Sequence, residues 1–240
     1  MSLEENLSTL EEAIATACRN AGRPREEVEM VAVSKTHPVE SLSEAFRLGL
    51  RLFGENRVQE FAAKSAELPT GVRSQMSVHL IGHLQSNKAA KAVEVFDGID
   101  TLDSLKLAEK LDEAAGKLGK RLSVLLEIKL SHEESKAGIA PGSADLDELL
   151  ERLPDLSNLH VEGLMTIAPL DVPEDETRAC FRDLRLLRDA ISATHPRLDL
   201  PILSMGMSGD FPLAIAEGAT RIRVGTALFG QREYPHKLTA

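Results

Sequence analysis

Apolar positions along the chain follow two alternating periods. Leu3, Leu7, Leu10, Ile14 and Cys18 recur at helical spacing, which predicts an amphipathic helix over about the first 20 residues, ending near Gly22 and Pro24. The short apolar run Val31, Ala32, Val33 then reads as a buried strand. From there the two patterns take turns: helix "VESLSEAFRLGL", strand "RLFGEN", helix "RVQEFAAKSAEL", strand "SVHLIG", a helix from Asn87 to Phe96, strand "GIDTL", and a long helix with Leu107, Leu111, Ala115 and Leu118 on one face. The run "SVLLEIKL" is apolar without strict alternation, as expected of a strand covered on both faces. A helix over Ala144 to Leu153, strand "HVEGLMTI", a helix over Glu174 to Thr194, strand "PILSM", a helix over Phe211 to Glu217 and strand "RIRVG" follow, which makes eight strands.

Strands alternating with helices predict parallel pairing through right-handed crossovers. Eight such units in about 200 residues suit an α/β fold of the closed (β/α)8 TIM type better than an open doubly wound sheet. The expected organisation is a single domain over 1–240: an extra N-terminal helix at about 2–20, a barrel at about 29–230 and a short C-terminal tail. A barrel of this kind carries its chemistry at the C-terminal ends of its strands. That rule directs attention to Lys35, Asn56, Gly82 to Gln85, Lys129 to Lys136, Met165 to Pro169, Ser204 to Gly209 and Arg223 to Thr226.

Composition narrows the class of partner. A formal charge of −10, no basic run and 3% aromatic residues argue against a nucleic-acid surface, which needs clustered Lys/Arg and stacking platforms. No apolar run approaches the roughly 18 residues of a spanning helix, and the acidic N-terminus lacks the features of a secretory signal, so a cytoplasmic protein is expected. Cys18 and Cys180 lie far apart, outside any C-x-x-C pattern, and each falls on the apolar face of its helix, which reads as core packing. His79 and His83 without a nearby third ligand read as structural, and no metal site is expected. Glu133 and Glu134 read as a solvated loop. A small molecule is the expected partner.

Two strand-end segments combine. "SMGMSGD" opens a helix, with Gly206 and Gly209 permitting tight backbone geometry, and "RVGT" adds Gly225, where backbone can approach a ligand closely, and the Thr226 hydroxyl. Loops after strands seven and eight are where barrels often hold a phosphate. Against that stands the plain reading that these glycines are turn residues and that Ser208 or Asp210 is a helix cap. Lys35, at the mouth of the same barrel, supplies an amine able to condense with an aldehyde or ketone of a phosphate ester. The alternative is a lysine that snorkels to solvent. Spacing alone leaves pyridoxal phosphate and an aldolase-type sugar phosphate both open.

The segments "VAVSKTHP", "FGENRVQE", "HLIGHLQSNK", "ESKAG", "GLMTIAP" and "LSMGMSGDFPLAIAEGATRIRVGTALFG" together resemble the motif series of the YggS/PROSC family of pyridoxal-phosphate homeostasis proteins, over about Val31 to Gly230. The resemblance implies the barrel of the alanine racemase N-terminal domain, standing alone, and pyridoxal 5'-phosphate as cofactor. It implies Lys35 as the Schiff-base lysine, Ser204, Gly225 and Thr226 at the phosphate, Arg223 facing the pyridine nitrogen and Asn56 lining the site, and Gly206 of the same loop joins the expected cofactor-binding set. "IKLSHEESKAG" departs locally from the family pattern, which touches the contacts of that loop, including Lys136.

An arginine at the pyridine nitrogen disfavours protonating it, whereas an aspartate would make the ring a strong electron sink. Racemisation needs a second acid/base opposite Lys35, and Tyr234, the only tyrosine, falls in the C-terminal tail. No catalytic residue is therefore assigned. The expected function is a non-enzymatic carrier, favoured as a monomer, that holds pyridoxal phosphate reversibly and hands it to apo-enzymes. Its rivals are a racemase or decarboxylase of the same fold and a cofactor-free aldolase.

Overall fold

The computed structural model describes residues 2–131 and 137–230. Lys136, Glu133, Glu134 and Tyr234, weighed above, lie outside the described residues. The first helix, α1 (Leu3–Asn20), starts where Ser2 and Glu5 form a reciprocal capping box, each side chain satisfying the other's backbone N–H. It buries Leu10, Ile14, Ala17 and Cys18. The eight strands are β1 (Glu29–Val33), β2 (Leu52–Glu55), β3 (Ser77–Leu80), β4 (Gly98–Leu102), β5 (Leu122–Glu127), β6 (Leu159–Met165), β7 (Ile202–Met207) and β8 (Arg221–Val224). They pair in sequence order, all parallel, and β8 closes on β1 to complete the barrel.

Helices α2 (Val39–Arg47), α3 (Val58–Glu67), α4 (Thr70–Arg73), α5 (Ala89–Val95), α6 (Leu105–Lys117), α7 (Ala144–Arg152), α8 (Glu174–Thr194), α9 (Phe211–Ala216) and α10 (Thr226–Phe229) occupy the connections and the segment after β8. Two of them, α4 and α10, are one-turn elements that the hydrophobic pattern does not announce. Leu118, expected on the apolar face of α6, instead caps that helix and is 48% exposed, because the apolar stripe is already complete at Ala115. Cys18 and Cys180 are both buried.

Strand parity divides the barrel into two environments. Met30 and Ala32 of β1 face outward into the large apolar shell shared with the helices, whereas Val31 and Val33 join Leu52 and Ile81 in a separate interior cluster. Much of the rest of the interior is polar. His79 Nδ1 lies 2.7 Å from Asp100 Oδ1, Asp100 Oδ2 lies 3.8 Å from Arg221 Nη1, and Arg221 reaches Glu29 at 2.7 Å. Gly98 makes room for this group, since a Cβ there would meet the His79 ring at 2.5 Å.

Burial of Asp100 pushes its carboxyl up, but His79, Arg221 and Arg223 outweigh that and hold it below the usual aspartate range. A depressed native pKa contributes stability that is present above the unfolded value, roughly 4, and is lost as pH falls through the native value. Asp100→Asn should therefore destabilise the protein by about 3 kcal/mol at pH 7. Urea unfolding should show the gap narrowing as the pH is taken below about 4.

Candidate functional site

At the C-terminal mouth of the barrel a cavity of about 260 Å³ is lined by residues from opposite sides of the ring of strands. Its volume lies near the lower end for small-ligand sites. Lys35, Asn56, Arg223, Gly225 and Thr226 all face it, so five of the seven residues singled out from sequence converge on one space. Lys35 gets there by parity. Val31 and Val33 point into the barrel, and the lysine two residues on continues the inward face just past the last strand residue. Its side chain is half-buried, with apolar Val33 and Ile81 among the walls.

Arg223 forms the floor. It is 5% exposed, and its Nη1 donates to the carbonyl and hydroxyl of Ser204, both at 2.8 Å, while Nη2 donates to the carbonyl of Thr166 at 2.8 Å. Burial lowers the pKa of the guanidinium, opposed by Asp100, Asp210 and Glu127, and a group that starts so high stays charged. The cavity thus has a cation fixed in orientation at its base.

Ser204 and Gly206, expected at the phosphate from the sequence, do not line the cavity. The cause is a register shift in β7: Ser204 pairs with Arg221 but Met207 pairs with Arg223, so β7 spends one more residue than β8 between those levels. Ser204 consequently lies one layer below the floor, fully buried, and holds Arg223 rather than facing a ligand. Gly206 has φ +91°, and a Cβ there would meet that of Ala214 at 2.5 Å, so this glycine serves the bulge and the seating of α9. The residues that β7 does present are Met207, Ser208 and Gly209. Ser208 lies beside the start of α10, where the Ala227 N–H reaches its Oγ at 3.5 Å. Asp210 occupies the cap position of α9 but turns its carboxylate back to the Met207 N–H, which fixes the loop.

The wall formed by the β7 and β8 loops is therefore two hydroxyls, Ser208 and Thr226, set among two glycines, Gly209 and Gly225. A Cβ on Gly225 would meet the Val33 carbonyl at 3.3 Å, whereas Gly209 has open space around it. His37, Ile81 and Ile167 complete the lining, and the His37 ring stacks on Phe229 at 5.0 Å. Sequence reading did not single out His37; Ser208 and Gly209 fell within its strand-end segment, Gly209 as part of the anion-binding loop and Ser208 only as a helix cap. The repeated "SMGMS" carries two serines of equal parity, and only the bulge tells them apart.

A second recess of about 300 Å³ shares Asn56, Ile81 and Ile167 with the first and brings in Glu127, Ser131 and His83. His83 pairs with Asp103 at 3.2 Å, and Asn87 lies outside the mouth, in a surface groove with Lys110 and Glu113. Glu127 is 5% exposed. Burial pushes its carboxyl up, the nearby Asp103 adds to that, and Arg223 offsets part, which leaves it at about 7.

The polar groups of this mouth match a flat, anionic, carbonyl-bearing ligand: an amine, a hydroxyl-and-glycine wall and a fixed guanidinium all line one cavity. The barrel and this arrangement define a domain of the alanine racemase N-terminal type, and residues 6–233 match that family. An alanine racemase from Clostridium difficile has the same fold at 17% identity and a TM-score of 0.71, this chain covering 57% of it. Much nearer are a pyridoxal phosphate homeostasis protein of Aquifex aeolicus, 43% identical over 98% of this chain and 100% of the relative, and PipY of Synechococcus elongatus PCC7942. The latter is 46% identical over 95% of this chain and all of its own, with a TM-score of 0.82 for the form with pyridoxal phosphate (PLP) bound. The chain belongs to the pyridoxal phosphate homeostasis family.

Glu127 gives the site a measurable signature. A carboxyl raised in the native state contributes stability that is fully present below its unfolded value, roughly 4.3, and is lost as pH rises through about 7. Glu127→Gln should leave thermal stability unchanged at pH 4.5 and raise Tm by several degrees at pH 8, as followed by circular dichroism.

Proposed function

We propose that this chain binds PLP at the barrel mouth, held covalently and reversibly on Lys35, and works in the cytosol as a carrier that passes it to apo-enzymes rather than as a catalyst. The observation that supports this best is the convergence of the Lys35 amine, the Arg223 guanidinium and the Ser208/Thr226 wall on one cavity of about 260 Å³. The PLP-bound relative supports it independently.

When bound, PLP supplies an aldehyde that condenses with a lysine amine and a phosphate that anchors it. Lys35 provides the amine, flanked by the apolar side chains of Val33 and Ile81. Ser208 and Thr226 donate hydroxyl hydrogen bonds to the phosphate, and Gly209 and Gly225 leave room for it against the backbone. Arg223, held by Ser204 and Thr166 through three of its five N–H donors, keeps two for the ring nitrogen's side of the ligand, whose nitrogen its charge keeps unprotonated. Asn56 and Ile81 cover the side toward the second recess. An unprotonated ring withdraws electrons weakly, so the same contacts that retain the cofactor disfavour carbanion chemistry on an amino acid.

Borohydride reduction of protein incubated with PLP, followed by peptide mapping, should place the added mass on Lys35, and Lys35→Ala should abolish the near-visible band. Sustained loss of optical activity or release of carbon dioxide from single amino acids would overturn the carrier reading. The two serines should separate cleanly. Ser208→Ala should weaken PLP binding about tenfold, the worth of one hydrogen bond to a charged group, and raise the affinity for competing pyridoxal relative to PLP. Ser204→Ala should leave that preference for the phosphate unchanged.

A further inference from the structure

Lys35 is followed by a residue in an unfavourable backbone conformation. Thr36 has φ +68°, in the left-handed region that a β-branched residue rarely enters. Such a conformation persists where its surroundings over-determine it, and here the surroundings come from β2 and α3. The Thr36 N–H donates to Glu60 Oε1 at 2.6 Å. On the other side of Lys35, the Ser34 hydroxyl donates to Glu55 Oε1 at 2.7 Å. Lys64 ties the two together: its Nζ lies 3.0 Å from the Ser34 carbonyl, 2.8 Å from Glu55 Oε1 and 2.8 Å from Glu60 Oε1, which uses all three of its protons.

All of these groups lie behind the site, between barrel and helix. Ser34 and Glu55 are fully buried, and Lys64 is 11% exposed. Burial pushes both carboxyls up. For Glu60 the bonds from Lys64 and Thr36 outweigh it and hold the group below the usual range, while for Glu55 burial prevails. None of the three side chains lines the cavity. What they hold is the backbone immediately before and after Lys35.

We infer that Glu55, Glu60 and Lys64 form a clamp that keeps Thr36 in its left-handed conformation and so aims Lys35 into the cofactor cavity: they are positioning residues for the amine. The inference rests on the reading of Lys35 as the attachment point. Without the clamp the 34–37 turn relaxes toward an ordinary φ at Thr36, the lysine swings through more orientations, and retention of the cofactor falls because the attached state must be re-ordered each time it forms.

The test uses full-length protein loaded with PLP, and reads the rate at which hydroxylamine strips the near-visible band. Lys64→Met should accelerate release about tenfold, and Lys64→Arg should restore most of the wild-type rate. Thr36→Gly placed in the Lys64→Met background should bring the rate back to within about threefold of wild type, because glycine takes a positive φ without cost. A Lys64 that merely anchored α3 would show no such rescue. Should Lys64→Met lower folding yield, Glu60→Ala, at a partly exposed position, should accelerate release in the same direction and respond to Thr36→Gly in the same way. Release at the wild-type rate in both single variants, or acceleration that Thr36→Gly leaves untouched, overturns the clamp. Survival of the band in Lys35→Ala overturns the reading of Lys35 instead, so the two failures are distinguishable.

Discussion

A guanidinium buried at the centre of a barrel is the constraint on which the rest of this structure turns. Desolvating Arg223 would be prohibitive unless its protons met acceptors of fixed position, and they meet three: the carbonyl and hydroxyl of Ser204 and the carbonyl of Thr166. Those acceptors come from β7 and from the end of β6, so the cation is locked to strands on its own side of the barrel and leaves the opposite side open. Below it, Asp100, Arg221, His79 and Glu29 balance the charge through the lower barrel. Above it, the space that remains is the cavity. A floor that is positive and immobile selects what enters, favouring an anionic ligand whose ring presents an acceptor downward.

The same cation explains why two carboxyls of the barrel interior behave oppositely. Asp100 touches a histidine and faces two arginines, and is held below its ordinary value; Glu127 feels Arg223 only at a distance, faces the like charge of Asp103, and rises to about 7. Burial is common to both, so partner geometry decides the sign. The lower barrel is thereby ionised and rigid, whereas the mouth beside the cavity is poised near neutrality.

The fold was legible because its signal is repeated. Alternation of 3.6-period and uninterrupted apolar segments recurs eight times, and errors at single boundaries do not disturb the count. The misses share a different origin. One turn of helix, as in α4 or α10, is too short to show a period, and Leu118 continues an apolar pattern that the chain itself abandons at the helix end. Among the residues facing the cavity, Lys35, Asn56, Arg223, Gly225 and Thr226 were reached because they stand at or just beyond strand ends whose parity is regular. Ser208 was passed over for Ser204 because strand parity fails at a bulge, and a bulge is set by packing of Gly206 on Ala214, a contact across about eight residues that no local pattern encodes. Glu55, Glu60 and Lys64 were invisible for a related reason: on sequence they read as an ordinary strand end and an ordinary solvated helix face.

A strained backbone next to Lys35 also bears on how reversible the proposed attachment would be. A carrier must hold its cargo against stray amines yet surrender it, so the attached state should be stabilised by interactions that detachment does not destroy. The contacts available here divide in that way. In the proposed mode, phosphate contacts at Ser208 and Thr226 and the Arg223 floor would belong to binding as such and persist whether or not the amine is joined. The orientation of Lys35 belongs to the protein alone and is fixed in advance by groups that never touch the ligand. Pre-organising the amine in this manner lowers the entropic cost of joining without adding a contact that must be broken on release. Retention and exchange can then be set by different residues, the former at the β7 and β8 loops and the latter at the turn after β1.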